Sequence, residues 1–415
     1  MIKNKLALAI GLSFLTTTAM AATSINSKMP EHAQANAWGK DRVLQKMVGK
    51  AHARSIELVD LDAMSVQSNS EEIGLTVNGS VLTLAKISAK QTGNGTIIWT
   101  GNILETAGDM SRLDPRNSVT LVRNNHKITA NIRLDGDLYQ LRPLAGAGHA
   151  LVAVDEAQMP TDHPAEYDRI AELSRADKNG KGKPGGTDPG TPPDPGPNET
   201  LRVMVHYTTA AAAASGDING LIDLAIAETN QGYANSGITL TVELAGKYQV
   251  NYSESGNFDT DLSFYRNVTD GVMDSIHNTR DQVNADVGML MIDNGQYCGL
   301  ASDIGSTPET AFAAVHYDCA TGYYSFGHEI GHLQSARHDP KNDPTNTPYS
   351  YGHGYQADRD GWRTIMAYNC RRGCTRINYW SNPFVQYNGK PMGTESSSFN
   401  SLVLNTTKTD MAAFR

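Results

Sequence analysis

The chain has 415 residues, 39% hydrophobic and 19% charged, which suits a folded soluble protein better than a disordered one. A net charge of −9 argues against a general binder of nucleic acid or of an anionic membrane. The 4 cysteines exclude a disulfide-dense miniprotein, and none of them precedes Cys298.

The N-terminus reads as an address. Lys3 and Lys5 precede a mostly apolar stretch from Leu6 to Leu15, and Ala19-Met20-Ala21 supplies small residues where a signal peptidase reads. Residues 1–21 are therefore expected to be an export signal cut after Ala21, too short to serve as a membrane anchor. The product is expected outside the cytoplasm, extracellular or periplasmic, where cysteines pair. No internal run is long and apolar enough to span a bilayer.

Residues 22–177 form a first folded region. A helical pattern is expected around Ala37 to Ala53. The region then turns β-rich: Ile73–Val77 and Val81–Ala85 alternate around Asn78-Gly79, a strong hairpin signal. Residues 96–100, 119–122 and 138–141 read as further strands. Residues 178–198 are dominated by Gly and Pro and read as a protease-accessible linker.

Residues 199–415 form the second region. A strand over Leu201–Tyr207 is followed by a helix from Ile218 to Ala234, with Leu221, Ile222, Ala225 and Ile226 on one face and Gly237 as its C-terminal cap. Residues 238–244 alternate as a strand, and 285–292 and 312–317 are short apolar strands suited to a sheet interior. This order predicts an α+β domain, a mixed sheet with helices packed on it.

The chemistry concentrates in Tyr324-Ser-Phe-Gly-His-Glu-Ile-Gly-His-Leu-Gln-Ser-Ala-Arg-His-Asp. His328 and His332 are four apart, so a helix projects both imidazoles from one face, at a separation that suits one Zn²⁺. Glu329 is one step round the helix and can reach a water without being a ligand. His338 can join the metal only if the chain turns sharply after the helix. Three neutral histidines leave a fourth position open, the mark of a catalytic rather than a structural zinc. After Glu329 the next Glu is Glu395, too far to serve as the third ligand; Asp339 or Asp343 could take that place, but His338 fits better.

Together these residues resemble the metzincin clan, whose motif is HExxHxxGxxH followed by a Met-turn. His328, Glu329, His332 and His338 match it residue by residue, and Thr364-Ile-Met-Ala-Tyr fits the Met-turn. The resemblance implies a catalytic domain with a mixed twisted sheet and an active-site helix. It makes Met366 an apolar floor beneath the ligands and Tyr368 a stabiliser of the tetrahedral intermediate. Ser335 departs from the pattern: it stands where the clan carries Gly, in a turn of positive φ. Cys298-Gly-Leu-Ala, Arg337-His-Asp, Arg363-Thr-Ile-Met-Ala-Tyr-Asn-Cys and Trp380-Ser-Asn-Pro further resemble the secreted bacterial peptidyl-Asp metalloendopeptidases. That family's preference for Asp after the scissile bond suits a guanidinium beyond the Met-turn. Arg371, Arg372 and Arg376 are the candidates to bind a substrate carboxylate.

The implied activity is hydrolysis of protein or peptide substrates by one catalytic zinc, with Glu329 as general base. The four cysteines allow three pairings. Cys370 and Cys374 suit a tight loop, which leaves Cys298 and Cys319 to join two strand ends. A CxxxC zinc site is the rival reading. A separate first region and a cuttable linker imply a monomeric zymogen with a β-rich propeptide as intramolecular inhibitor. Lacking Cys, that propeptide has no thiol to place on zinc. Asp162-His163-Pro164 offers a carboxylate and an imidazole instead. The alternatives are a secreted binding or adhesion protein on the same scaffold without turnover, and a hydrolase of something other than peptide.

Overall fold

The structure, a computed structural model, describes residues 23–163 apart from 107 and 109, and residues 192–415. The expected export signal and most of the expected linker lie outside the described residues, as does the expected boundary at 177.

The N-terminal domain opens with β1 (Asn26–Lys28) and two helices, α1 (Glu31–Lys40) and α2 (Arg42–Val48). The helical stretch thus starts earlier than Ala37 and ends before Ala53. Asp41 divides it: its side chain accepts from the N–H groups of Val43 and Leu44 and caps α2. Residues from Ala53 onward enter a sheet instead. It comprises β2 (Ala53–Leu61), β3 (Glu72–Val77), β4 (Ser80–Gln91), β5 (Ile97–Ile103), β6 (Ser118–Asn124), β7 (Lys127–Leu134), β8 (Asp137–Pro143) and β9 (His149–Val154). With β1 they form an antiparallel nine-stranded sheet in the order β1-β2-β9-β8-β7-β6-β5-β4-β3. Asn78 (φ 52°) and Gly79 (φ 77°) make the β3–β4 turn, as their residue types require. The sheet curls until its edges meet, where the Ile25 N–H donates to the Gly74 carbonyl.

The C-terminal domain is built on β10 (Glu199–Thr208), β11 (Leu240–Val250), β12 (Val287–Ile292), β13 (Gly299–Ala301) and β14 (Phe312–His316). Their order is β11-β10-β12-β14-β13, parallel except that β13 runs against β14 at the edge. Helices α3 (Thr209–Ser215), α4 (Ile218–Asn235), α5 (Phe258–Arg266), α6 (Ser275–Gln282), α7 (Ser325–Leu333) and α8 (Asn400–Met411) complete the mixed α+β domain. Helix α4 ends as its sequence implies. Gly237 has φ 69°, its N–H donates to Ala234, and the Ile238 N–H donates to Tyr233.

The N-terminal sheet docks on α4 and on the loop before α7 through buried polar contacts. Asn131 donates to Glu228 (2.6 Å), Arg142 to Thr321 (3.0 Å) and Arg133 to the Gly322 carbonyl (2.6 Å). Lys50 and His52 both reach Asp318, at 2.6 and 2.7 Å. From β9 the chain continues to residues 161–163, which lie on edge strand β13. There the Cys298 N–H donates to Thr161 and the Gly299 N–H to Asp162.

Candidate active site

Every residue of α7 is buried, and His328 and His332 present their Nε2 atoms 3.0 Å apart. The helix ends in a Schellman turn: Ser335 takes φ 78°, its N–H donates to His332, and the Ala336 N–H donates to Gly331. Serine therefore adopts the left-handed conformation that favours Gly, at a cost on the order of 1 kcal/mol. Several bonds fix the chain beyond the turn. The Arg337 N–H donates to Gly352, the Arg337 guanidinium pairs with Asp343 at 2.9 Å, and His353 Nδ1 donates to the His338 carbonyl. This returns the His338 ring to the helix, its Nε2 3.1 Å from those of both His328 and His332.

A fourth imidazole completes the group. His163 Nε2 lies 3.1 Å from His328 Nε2 and 3.1 Å from His332 Nε2. The ligating atoms of His163, His328, His332 and His338 all fall within 4.8 Å of one another. The donor chemistry fits a cation at their centre. His328 Nδ1 faces the Ile365 carbonyl (3.0 Å) and His332 Nδ1 the Ala336 carbonyl (2.8 Å). A carbonyl only accepts, so the His332 proton sits on Nδ1 and its Nε2 lone pair points inward, whereas His328 Nδ1 faces the donor Arg376 Nη2 at 2.9 Å as well as its carbonyl. Neutral imidazole nitrogens clustered this closely cannot all pair with one another by hydrogen bonds, and a cation among them satisfies every lone pair. Five of the Nε2 separations are 3.0–3.1 Å, and a tetrahedron with such edges has its centre about 1.9 Å from each corner, close to a Zn–N bond of about 2.0–2.1 Å. Burial pushes His163 down to about 4, and pushes His328, His332 and His338 well below the usual imidazole range, so all four are neutral as ligands must be.

Around this cluster the other predicted residues fall as follows. Glu329 Oε1 is 3.8 Å from His163 Nε2, and Oε2 has no hydrogen-bond partner. Burial, and then the neighbouring Asp162, push the Glu329 carboxyl well above the usual range. The Tyr368 ring stacks on His338 with centroids 4.4 Å apart, and its N–H donates to Asp339. Burial, with Asp162 and Glu329, raises the Tyr368 hydroxyl, which stays protonated. Met366 is fully buried, its Sδ 3.2 Å from where a Cβ on Gly331 would sit. The disulfides are Cys298–Cys319 and Cys370–Cys374. The three arginines part company: Arg371 and Arg372 are exposed on the Cys370–Cys374 loop, whereas Arg376 is buried within reach of His328.

Sequence reasoning missed the roles of two residues. Asp339 acts through a backbone contact that no motif spacing reveals. Gly299 matters by its lack of a side chain, since a Cβ there would lie 2.2 Å from Glu329 Oε1. Its place in Cys298-Gly-Leu-Ala was the available signal.

A histidine pair and glutamate on one helix, a third histidine returned by a turn, and a mixed sheet beneath define a zinc metalloprotease of metzincin type. Comparison with known proteins agrees, since residues 198–381 match Reprolysin_5, Metallo-peptidase family M12. The chain is 49% identical over 382 residues to the peptidyl-Asp metalloendopeptidase of Stenotrophomonas maltophilia (strain K279a), covering 90% of this chain and 89% of that one. It is 46% identical over 377 residues to that of Xanthomonas campestris pv. campestris, covering 90% and 88%. The Pseudomonas fragi peptidyl-Asp metalloendopeptidase matches at 46% over 189 residues, 45% of this chain and 100% of that protein. The chain belongs to the peptidyl-Asp metalloendopeptidase family.

Proposed function

We propose that the full chain is the latent precursor of an exported, monomeric zinc endopeptidase that cuts before Asp. Residues 1–21 direct export, and the N-terminal domain is the propeptide. Zinc, when bound by His328, His332 and His338, supplies an activated water and polarises the scissile carbonyl. Glu329 accepts the proton of the attacking water and delivers it to the leaving amine. The Tyr368 hydroxyl donates to the oxygen on which negative charge develops, and Met366 supports the ligands from below.

The observation that carries latency is the position of His163. Its Nε2 lies 3.1 Å from the Nε2 atoms of two of the histidines that would hold zinc, and would take the position those three ligands leave for water. Cleavage in the Gly/Pro-rich stretch frees the propeptide to leave with it. Hydrolysis of casein by the purified, zinc-loaded full chain tests this, with His163→Ala and Glu329→Ala beside it. The unprocessed wild type is expected to be silent and His163→Ala active without processing. Chelator, or adding Glu329→Ala to the His163→Ala chain, should abolish that activity. Equal activity of wild type and His163→Ala would refute the latency. Activity that survives both chelator and Glu329→Ala would refute the enzyme mechanism and leave a scaffold without zinc-dependent turnover.

A further inference from the structure

The arginine that reads the substrate can be picked out by what it holds in the closed chain. Arg376 is fully buried, and its fork grips a single carboxylate: Nη1 lies 2.9 Å from Asp162 Oδ1 and Nη2 3.2 Å from Asp162 Oδ2. Its remaining contacts come from the catalytic domain itself. Nε donates to the Ile365 carbonyl (2.9 Å), Nη1 also donates to the Tyr323 carbonyl (3.1 Å), and the Tyr323 ring lies 4.6 Å beneath the guanidinium. The catalytic domain thus orients the cation, while the counter-charge arrives from the N-terminal segment. Among the described residues Asp162 is its only salt-bridge partner.

Sequence position makes this pairing informative. Asp162 directly precedes His163, which sits in the ligand cluster, so the carboxylate that Arg376 binds belongs to a residue adjacent to the one at the metal site. In a substrate, the residue after the scissile bond is likewise adjacent to the carbonyl under attack. We infer that Arg376 is the residue that selects Asp after the cut, and that Asp162 occupies its pocket as a mimic of that substrate side chain. The inference rests on the endopeptidase reading above and assigns its specificity to one buried group. A buried guanidinium left without a carboxylate is costly, so the pocket rejects neutral side chains, and the fixed fork sets the reach of the carboxylate it accepts. The exposed Arg371 and Arg372 have no part in it. The segment is not cut because His163, rather than a peptide carbonyl, fills the place in the histidine cluster where a substrate would be attacked.

The test uses the full chain activated by cleavage within 164–191. Paired peptides differ only in Asp or Asn after the scissile bond. Wild type is expected to favour the Asp peptide by about a hundredfold or more, and Arg376→Gln to bring that ratio near unity chiefly by slowing the Asp peptide. Because Arg376 touches His328, zinc content is measured alongside. Arg376→Lys, which keeps the charge and gives up the paired geometry, should give an intermediate ratio. A second readout needs neither activity nor a change at Arg376. In the cleaved chain, Asp162→Asn should release the N-terminal domain on gel filtration at least about tenfold faster than wild type.

An unchanged Asp-to-Asn ratio in either zinc-retaining arginine variant overturns the assignment, and unchanged release of the Asp162→Asn domain overturns the mimicry. If neither arginine variant keeps zinc, the release rate alone decides. Absence of any chelator-sensitive hydrolysis in wild type counts against the endopeptidase reading instead.

Discussion

The two domains reach order by different routes. In the N-terminal domain most neighbouring strands are also neighbours in sequence, and alternating side chains and tight turns specify it. The C-terminal domain pairs β10 with β11 and β12, and β12 with β14, all in parallel across long connections, and both disulfides lie in it. The first looks chemically plain, the second carries three histidines and a glutamate. Yet the histidine cluster gains its fourth member only where residues 162 and 163 of the plain domain lie on edge strand β13. A domain without catalytic chemistry of its own can still reach into a site through two side chains placed at its end.

Variants that act on one domain alone separate the contributions. The largest effect is expected from Gly299→Ala, confined to the catalytic domain. Its Cβ would press on the Glu329 carboxylate, so the processed enzyme should lose about a hundredfold in kcat while zinc content is unchanged. Unaltered kcat would show that Glu329 has room to spare.

Asp318→Asn acts on the docking of the two domains. Burial pushes the Asp318 carboxyl up, but Lys50 and His52 prevail and hold it well below the usual range. A carboxyl lowered in the docked state stabilises docking at every pH above its free value, near 3.9, and loses that contribution as pH falls through the lowered value. Gel filtration of the chain cleaved within 164–191 should therefore show Asp318 supporting the domain pair from pH 7 to about pH 4 and failing below it. Asp318→Asn should weaken the pair at pH 7 by about 3 kcal/mol, and an undiminished pair would remove the cluster from the account.

Asp339→Ala withdraws the acceptor from the Tyr368 N–H. Loss of this bond, about 1–1.5 kcal/mol if felt fully in the transition state, should lower kcat roughly tenfold with KM little changed. The smallest effect is Ser335→Gly, which relieves the positive φ and should raise thermal stability by about 1 kcal/mol without altering activity. A lowered melting temperature would mean that the Ser335 side chain is worth more than the strain it carries.

Much of this molecule was legible in the sequence because several features are local. A four-residue histidine spacing, an Asn-Gly turn and the apolar face of α4 each follow from short-range geometry. The sharp turn before His338 was legible too, as the only way to bring that ring back. The division of the helical stretch expected around Ala37 to Ala53 was not, since the Asp41 cap breaks a pattern that apolar spacing continues. The choice among Arg371, Arg372 and Arg376 was also out of reach. All three lie within six positions, and only the folded chain shows which one is buried against a carboxylate from residue 162.

The most direct test of the account is zinc K-edge absorption spectroscopy on the unprocessed, zinc-loaded full chain. The account predicts four histidine nitrogens at about 2.0–2.1 Å, falling to three, with an oxygen in place of the fourth and one imidazole ring fewer in the multiple-scattering signal, after processing or in His163→Ala. Three histidines and an oxygen in the intact wild-type chain would contradict it.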